Sequence, residues 1–148
     1  MLTLVGTRVP YFLQVIFSET SKAHKQDGEP ITPSRIAKIY AEKILGVDCK
    51  TYFDHYYGRI RDYYPSAEER VIKCILRQLA ITGSLRRDAC LQLYRERMGP
   101  NPDEELFNGT MVNLENDFYI AFNTRSGRYE FSCKLLRDWW LRHYGMEI

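Results

Sequence analysis

Phe118-Tyr119-Ile120-Ala121-Phe122-Asn123-Thr124-Arg125-Ser126-Gly127-Arg128-Tyr129-Glu130-Phe131 decides how the chain folds. Phe118 to Phe122 is rich in the aromatic and β-branched residues that fit a pleated surface. Asn123 to Gly127 is turn material, and Gly127 is free to take positive φ. Arg128 to Phe131 alternates polar and apolar, as a half-buried return strand does. A hairpin therefore stands late in a chain whose other periodic stretches are helical.

Three helical patterns precede it. Ser66 with Glu69 three residues on reads as a capping box, and Val71, Ile72, Ile75, Leu76 and Leu79 form the apolar stripe behind it. Thr82-Gly83-Ser84 is a break, with Ser84 placed to cap a helix that carries Leu85, Ala89, Leu91, Leu93 and Tyr94 and ends near Met98-Gly99-Pro100. Asn101-Pro102-Asp103-Glu104 reads as the next start: an Asn cap, Pro at the first position and Glu in the capping-box position. Phe107, Met111 and Leu114 line its buried side. After the hairpin, Ser132 is placed to cap a last helix through Leu135, Leu136, Trp139, Trp140 and Tyr144, closed by Gly145. Three helices, a two-stranded wing and a C-terminal helix make a winged helix-turn-helix domain, expected over residues 65–148.

Residues 1–64 read as a helical, lid-like segment, so the fold class is mainly α. Pro10 suits a first helical turn, followed by Tyr11, Phe12, Val15, Ile16 and Phe17 at helical spacing. Gln26 to Pro30 is a loop. Thr32-Pro33 starts a second helix carrying Ile36, Ile39, Tyr40 and Ile44, with Gly46 at its stop. Thr51 to Tyr64 is a third, edged by Tyr52, Phe53, Tyr56 and Ile60. Pro65-Ser66 marks the boundary between the two parts.

The 148 residues are 45% apolar and 14% aromatic, with 11 Tyr, a folding composition. A net charge of +2 and a pI near 8.3 are too mild to argue for a nucleic-acid partner. Cys49, Cys74, Cys90 and Cys133 match no zinc spacing, and three lie in apolar stretches, as buried free thiols of a reducing compartment do. The N-terminus lacks a basic, long-apolar signal pattern, and no apolar run could span a bilayer. A cytoplasmic protein without a membrane partner is expected. Because a Gly-x-x-x-Pro turn follows Met1 almost at once, the first residue is expected not to be a natural domain edge.

The sequence holds no G-x-x-x-x-G-K-[ST], HExxH or G-x-S-x-G. His24, His55 and His143 lie far apart. Asp54 and His55 are adjacent, but helical neighbours diverge by roughly 100° and cannot act as a relay. No catalytic residue and no metal ligand is assigned. As a DNA reader, the winged helix would insert Asp103–Asn116, which carries Asp103, Glu104, Glu105 and Glu115 and no Lys or Arg. That charge opposes the phosphate field and leaves Asn108 and Asn113 as the base-reading candidates. Candidate phosphate contacts lie elsewhere, at Arg86, Arg87, Arg95, Arg97, Arg125 and Arg128. Trp139 and Trp140 point apart on one helix, so one is expected to be buried against the wing and the other to meet the N-terminal helices or anchor a partner surface.

Several stretches resemble one family in order along nearly the whole chain. Gly6-Thr7-Arg8-Val9-Pro10-Tyr11-Phe12-Leu13-Gln14 is similar to the turn and helix that open the lid of predicted prokaryotic ATPases of the AAA superfamily, the STAND-like group. Phe53-Asp54-His55-Tyr56 with Arg59-Ile60-Arg61-Asp62-Tyr63-Tyr64 resembles a later lid helix. Leu114 to Ile120 resembles the entry to the wing, and Tyr129-Glu130-Phe131 with Lys134 to Trp140 its close. The resemblance implies a non-catalytic C-terminal module whose P-loop domain belongs to the same parent protein. It also implies ATP or ADP as that parent's cofactor, with none for this chain alone. Gly6, Arg8 and Pro10 become nucleotide-proximal, with Arg8 a phosphate sensor; the module would sense nucleotide state through the lid and engage a protein partner, or DNA, through the winged helix. The family's second glycine has no clear counterpart in Thr7-Arg8-Val9. The rival expectation is a free-standing winged-helix DNA-binding regulator with a helical dimerisation segment.

Overall fold

The computed structural model describes residues 10–99 and 103–145. The chain is mainly helical, with a small three-stranded antiparallel sheet. It divides into two compact units, the first ending at His55 and the second beginning at Tyr56. That division falls within a helix; the sequence reading drew its boundary at Pro65-Ser66.

The first unit contains α1 (Pro10–Asp27), α2 (Pro33–Ile39), a π-helical continuation (Tyr40–Ile44), a 3-10 turn (Val47–Cys49) and the start of α3 (Lys50–Tyr63). Thr32 caps α2 as expected: its hydroxyl accepts from the Arg35 amide at 3.1 Å, with Pro33 in the first turn. Arg35 closes the preceding loop, holding both oxygens of Asp27 at 2.7 and 2.6 Å and the Glu29 carbonyl at 2.6 Å. Gly46 ends the π turn where a side chain could not stand, because a Cβ there would lie 2.3 Å from the Glu42 carbonyl oxygen. Phe12, Val15, Ile16, Ile39, Tyr40, Ile44 and Phe53 form the core. Phe17 and Tyr52, expected on the apolar edges, are exposed.

The second unit holds the remainder of α3, then α4 (Ser66–Thr82), β1 (Leu85–Arg86), α5 (Arg87–Met98), α6 (Glu104–Asn116), β2 (Ile120–Asn123), β3 (Arg128–Phe131) and α7 (Lys134–Tyr144). The hairpin forms, but its first strand begins at Ile120 and not at Phe118, which is an exposed turn residue at φ 63°. Gly127 sits at φ 68°, and the Asn123 side chain accepts from the amides of Arg125 and Ser126 at 3.0 and 3.2 Å. The sheet has one strand more than expected. Gly83, at φ 87°, ends α4, and the chain leaves it extended, so Leu85 and Arg86 pair with Tyr129 and Arg128 in the order β1-β3-β2. Ser84 therefore caps nothing; α5 starts after Arg86 without a side-chain cap.

Other caps differ too. Pro65 occupies the cap of α4, and the Glu69 carboxylate takes Lys73 at 2.6 Å, so the Ser66–Glu69 box does not form. Asp103 caps α6, accepting from the Glu105 amide at 2.9 Å; Asn101 lies outside the described residues. The Cys133 sulfur caps α7, accepting from the Leu136 amide at 3.4 Å, because Ser132 spends its hydroxyl on the Phe118 carbonyl.

Leu85, Ile120, Tyr129 and Phe131 face the core from the sheet. Trp139 and Trp140 are 0% and 1% exposed, so neither presents a face to a partner; of the two expected neighbours of the outer Trp, it is a helix of the 1–64 segment that Trp140 meets, through Tyr57 of α3. Divergent neighbours can both be buried here because α7 packs against α4 and also against β3. Trp139 meets His143 and Tyr144, and Trp140 meets Tyr57, Tyr119 and Phe131.

Candidate functional site

The arginines expected to touch phosphate do not gather. Arg86 and Arg128 are register partners across β1 and β3. Arg128 is turned inward to Ser84, its Nε donating to the hydroxyl at 2.8 Å. Arg86 stands 3.6 Å from Asp88. Arg87 donates to the Asn108 side-chain oxygen and lies over the Phe107 ring at 5.2 Å. Arg95, about 12 Å further along α5 at the helical rise, holds Glu104 at 3.0 Å. Arg125 is exposed at the hairpin tip. Most of these cations thus meet acceptors of their own unit, while α6 presents Asp103, Glu104, Glu105, Leu106 and Val112 outward.

Gly6 and Arg8 lie outside the described residues, and of Pro10 only the backbone, opening α1, is described. The nucleotide-proximal turn implied by the resemblance therefore contributes no geometry. His55 sits edge-on to Tyr11 at 6.4 Å, and His24 meets the Glu29 carbonyl at 2.7 Å. Among the described residues no cluster of His, Cys, Asp or Glu could hold a metal ion.

All four cysteines are free thiols, and three are buried. Burial pushes Cys49 and Cys133 up to about 11 and Cys90 up to about 12. Cys74 alone is half-buried. Since the thiolate is the nucleophile, an alkylating reagent at about pH 8 is expected to label Cys74 and spare the other three until the chain unfolds; intact mass counts the adducts. Folded thiols with raised values keep protons that the unfolded chain releases. Stability is therefore expected to hold below the ordinary thiol value of 9.0 and to fall as pH rises towards 11 and 12. Denaturant melts at stepped pH check the sign.

Four cations border a hollow assembled from segments far apart in the chain. It measures about 340 Å³ and is bordered by Arg70, Lys73, Cys74 and Arg77 of α4, Arg97 of α5, Tyr57 of α3, and Trp140 and Tyr144 of α7. The α4 members fall at i, i+3, i+4 and i+7, so the helix itself aligns them on one face. That face is the edge of the apolar stripe, and the sequence reading assigned it no role. The aromatic floor is preformed: Tyr57 and Tyr144 stack at 3.7 Å and 11°. Lys73 lies 4.0 Å above the Tyr57 ring while holding Glu69, and Arg77 donates to the Gly145 carbonyl at 3.2 Å. Among the described residues, Arg70 and Arg97 have no hydrogen-bond or ion-pair partner. The sequence signal was available in part, as three cations at helical spacing on α4. Arg97 and the aromatic floor come from elements far apart in the chain.

No family model, curated protein or solved structure matches this chain.

Proposed function

We propose that residues 56–148 form a winged-helix module that engages a protein partner as the non-catalytic C-terminal part of an AAA/STAND-type ATPase. Two features support a winged helix: the order α4-β1-α5-α6-β2-β3-α7, and a sheet in which the first strand pairs with the last, β1-β3-β2. The observation that carries the choice of partner is the outer face of α6. In a winged helix this is the groove-reading element, and here it exposes Asp103, Glu104 and Glu105 beside Leu106 and Val112, without a single Lys or Arg. Arg95 answers Glu104, but Asp103 and Glu105 leave this face without a cation of its own, which disfavours phosphate and suits an apolar, basic-rimmed protein surface. The nucleotide that the parent hydrolyses would be held by its P-loop domain.

Two measurements test the reading. In an electrophoretic shift with duplex DNA at about 50 mM salt, where phosphate attraction is strongest, no sequence-preferring complex is expected. A sequence-selective complex with a steep salt slope, lost on Arg125→Gln, would instead establish the DNA-binding regulator. Sequencing the same reading frame upstream of Met1 tests the ATPase assignment. A P-loop and a Walker-B strand are expected there, and a stop codon directly before Met1 would remove that assignment.

A further inference from the structure

The hollow between α4, α5 and α7 has the chemistry of an anion site. Among the described residues four cations border it, and the one carboxylate paired with any of them is Glu69, on Lys73. Arg70, Lys73 and Arg77 repeat at spacings where like charges on a helix repel. Arginine cannot relieve that repulsion by losing a proton. Arg70 and Arg97 have no acceptor among the described residues, so their guanidinium donors stand ready for a ligand. The stacked rings of Tyr57 and Tyr144 form a rigid apolar floor that lowers the local dielectric and strengthens attraction to an anion. Planar guanidinium forks fit tetrahedral phosphate oxygens by paired hydrogen bonds. The hollow is concave and at the small end of ligand pockets, which suits a compact ligand over a duplex.

We propose that this hollow binds a small phosphate compound of at least two negative charges, its phosphate held by Arg70 and Arg97 above the Tyr57–Tyr144 floor. The ligand chemistry is shared by free pyrophosphate and by the phosphates of a nucleotide. The site stands apart from the winged-helix reading, because neither the wing nor α6 takes part in it.

Calorimetry on the full chain at about 50 mM salt, with pyrophosphate and ADP as separate probes, tests the proposal. Saturable binding of pyrophosphate is expected. Arg70→Gln and Arg97→Gln are each expected to weaken it about tenfold, the scale of one charge-assisted hydrogen bond. Both side chains are exposed, so unchanged melting temperatures will show that the variants fold. Arg125→Gln is expected to leave binding unchanged. Tighter ADP than pyrophosphate would identify the source as a nucleotide; equal or weaker ADP would identify a free phosphate, and both orders uphold the site.

Cys74 gives a second readout, since it borders the hollow and is the one thiol not fully buried. Saturating pyrophosphate is expected to slow its alkylation several-fold. The proposal is overturned if neither probe binds at millimolar concentration, or if Arg70→Gln with Arg97→Gln leaves affinity intact. It is equally overturned if Arg8→Gln, and not these variants, abolishes ADP binding, which would move the ligand to the N-terminal turn. Binding of an acidic peptide or DNA through Arg70 and Arg97 without any pyrophosphate binding would also overturn it.

Discussion

Trp140→Ala is expected to destabilise the 56–148 unit by about 3–5 kcal/mol, the range for removing a buried large aromatic. Trp140 is the hub of the aromatic core. Its ring lies 5.4 Å from Tyr57, 5.9 Å from Phe131, 6.3 Å from Tyr119, 6.2 Å from Trp139 and 5.6 Å from Tyr144. These rings come from α3, the segment entering β2, β3 and α7, so one truncation loosens contacts from most of the unit. Much of the gap cannot close, because the neighbouring rings are held by their own backbones. Tyr119, for example, is tethered by its hydroxyl to the Tyr56 carbonyl at 2.6 Å.

The measurement is convenient because the chain has only two Trp, both in α7. In Trp140→Ala the remaining Trp139 reports on this unit alone. Its emission is expected to shift to the red at a temperature more than about 10 °C below that of the parent chain. Trp140→Phe keeps a ring in the hub and is expected to lose less. An exposed partner anchor would behave differently, with a stability change within about 0.5 kcal/mol. That result would contradict the burial on which the hub rests.

The two tryptophans also show where sequence reasoning stops. Their helical divergence was legible, but not that α7 is covered on both sides, because β3 and α4 reach it from distant parts of the chain. Local signals fared well where one residue decides the geometry. Thr32 before Pro33, Gly83 at positive φ and the Asn123–Gly127 turn all do what their chemistry requires. Competing caps were harder. Cys133 caps α7 in place of the more conventional Ser132, because the Ser132 hydroxyl is already committed to the Phe118 carbonyl. Strand β1 was invisible because two residues have no period; Leu85 and Arg86 are extended only because β3 offers them a ladder.

The same limit explains the cationic hollow. Val71, Ile72, Ile75, Leu76 and Leu79 define the buried stripe of α4, and the residues beside it carry no local signal of a site. Arg70, Lys73 and Arg77 do lie beside it, but Tyr57 and Tyr144 supply a floor that no local pattern predicts. A charged helical face becomes a site only when another element closes one side of it.

In the first unit, Phe53→Ala is expected to have a comparable effect on a weaker structure. Phe53 is fully buried at the start of α3, and its ring stacks on Phe12 of α1 at 5.7 Å and 24°. Loss of a buried Phe costs about 3–5 kcal/mol. A unit of this length draws its stability from a small core, which rarely supplies more than about 3–5 kcal/mol. The substitution is therefore expected to remove most of the stability holding α1 to the π turn and α3. Hydrogen exchange should show it as near-complete loss of protection for the amides of Val15, Ile16 and Ile44. Phe17→Ala, on the exposed face of α1, is the control, expected to leave those amides protected. The contrast isolates burial from helix propensity, since Ala favours the helix at both positions. If Phe53→Ala left the Ile16 and Ile44 amides as slow to exchange as in the parent chain, the Phe12–Phe53 stack would not be what closes this core.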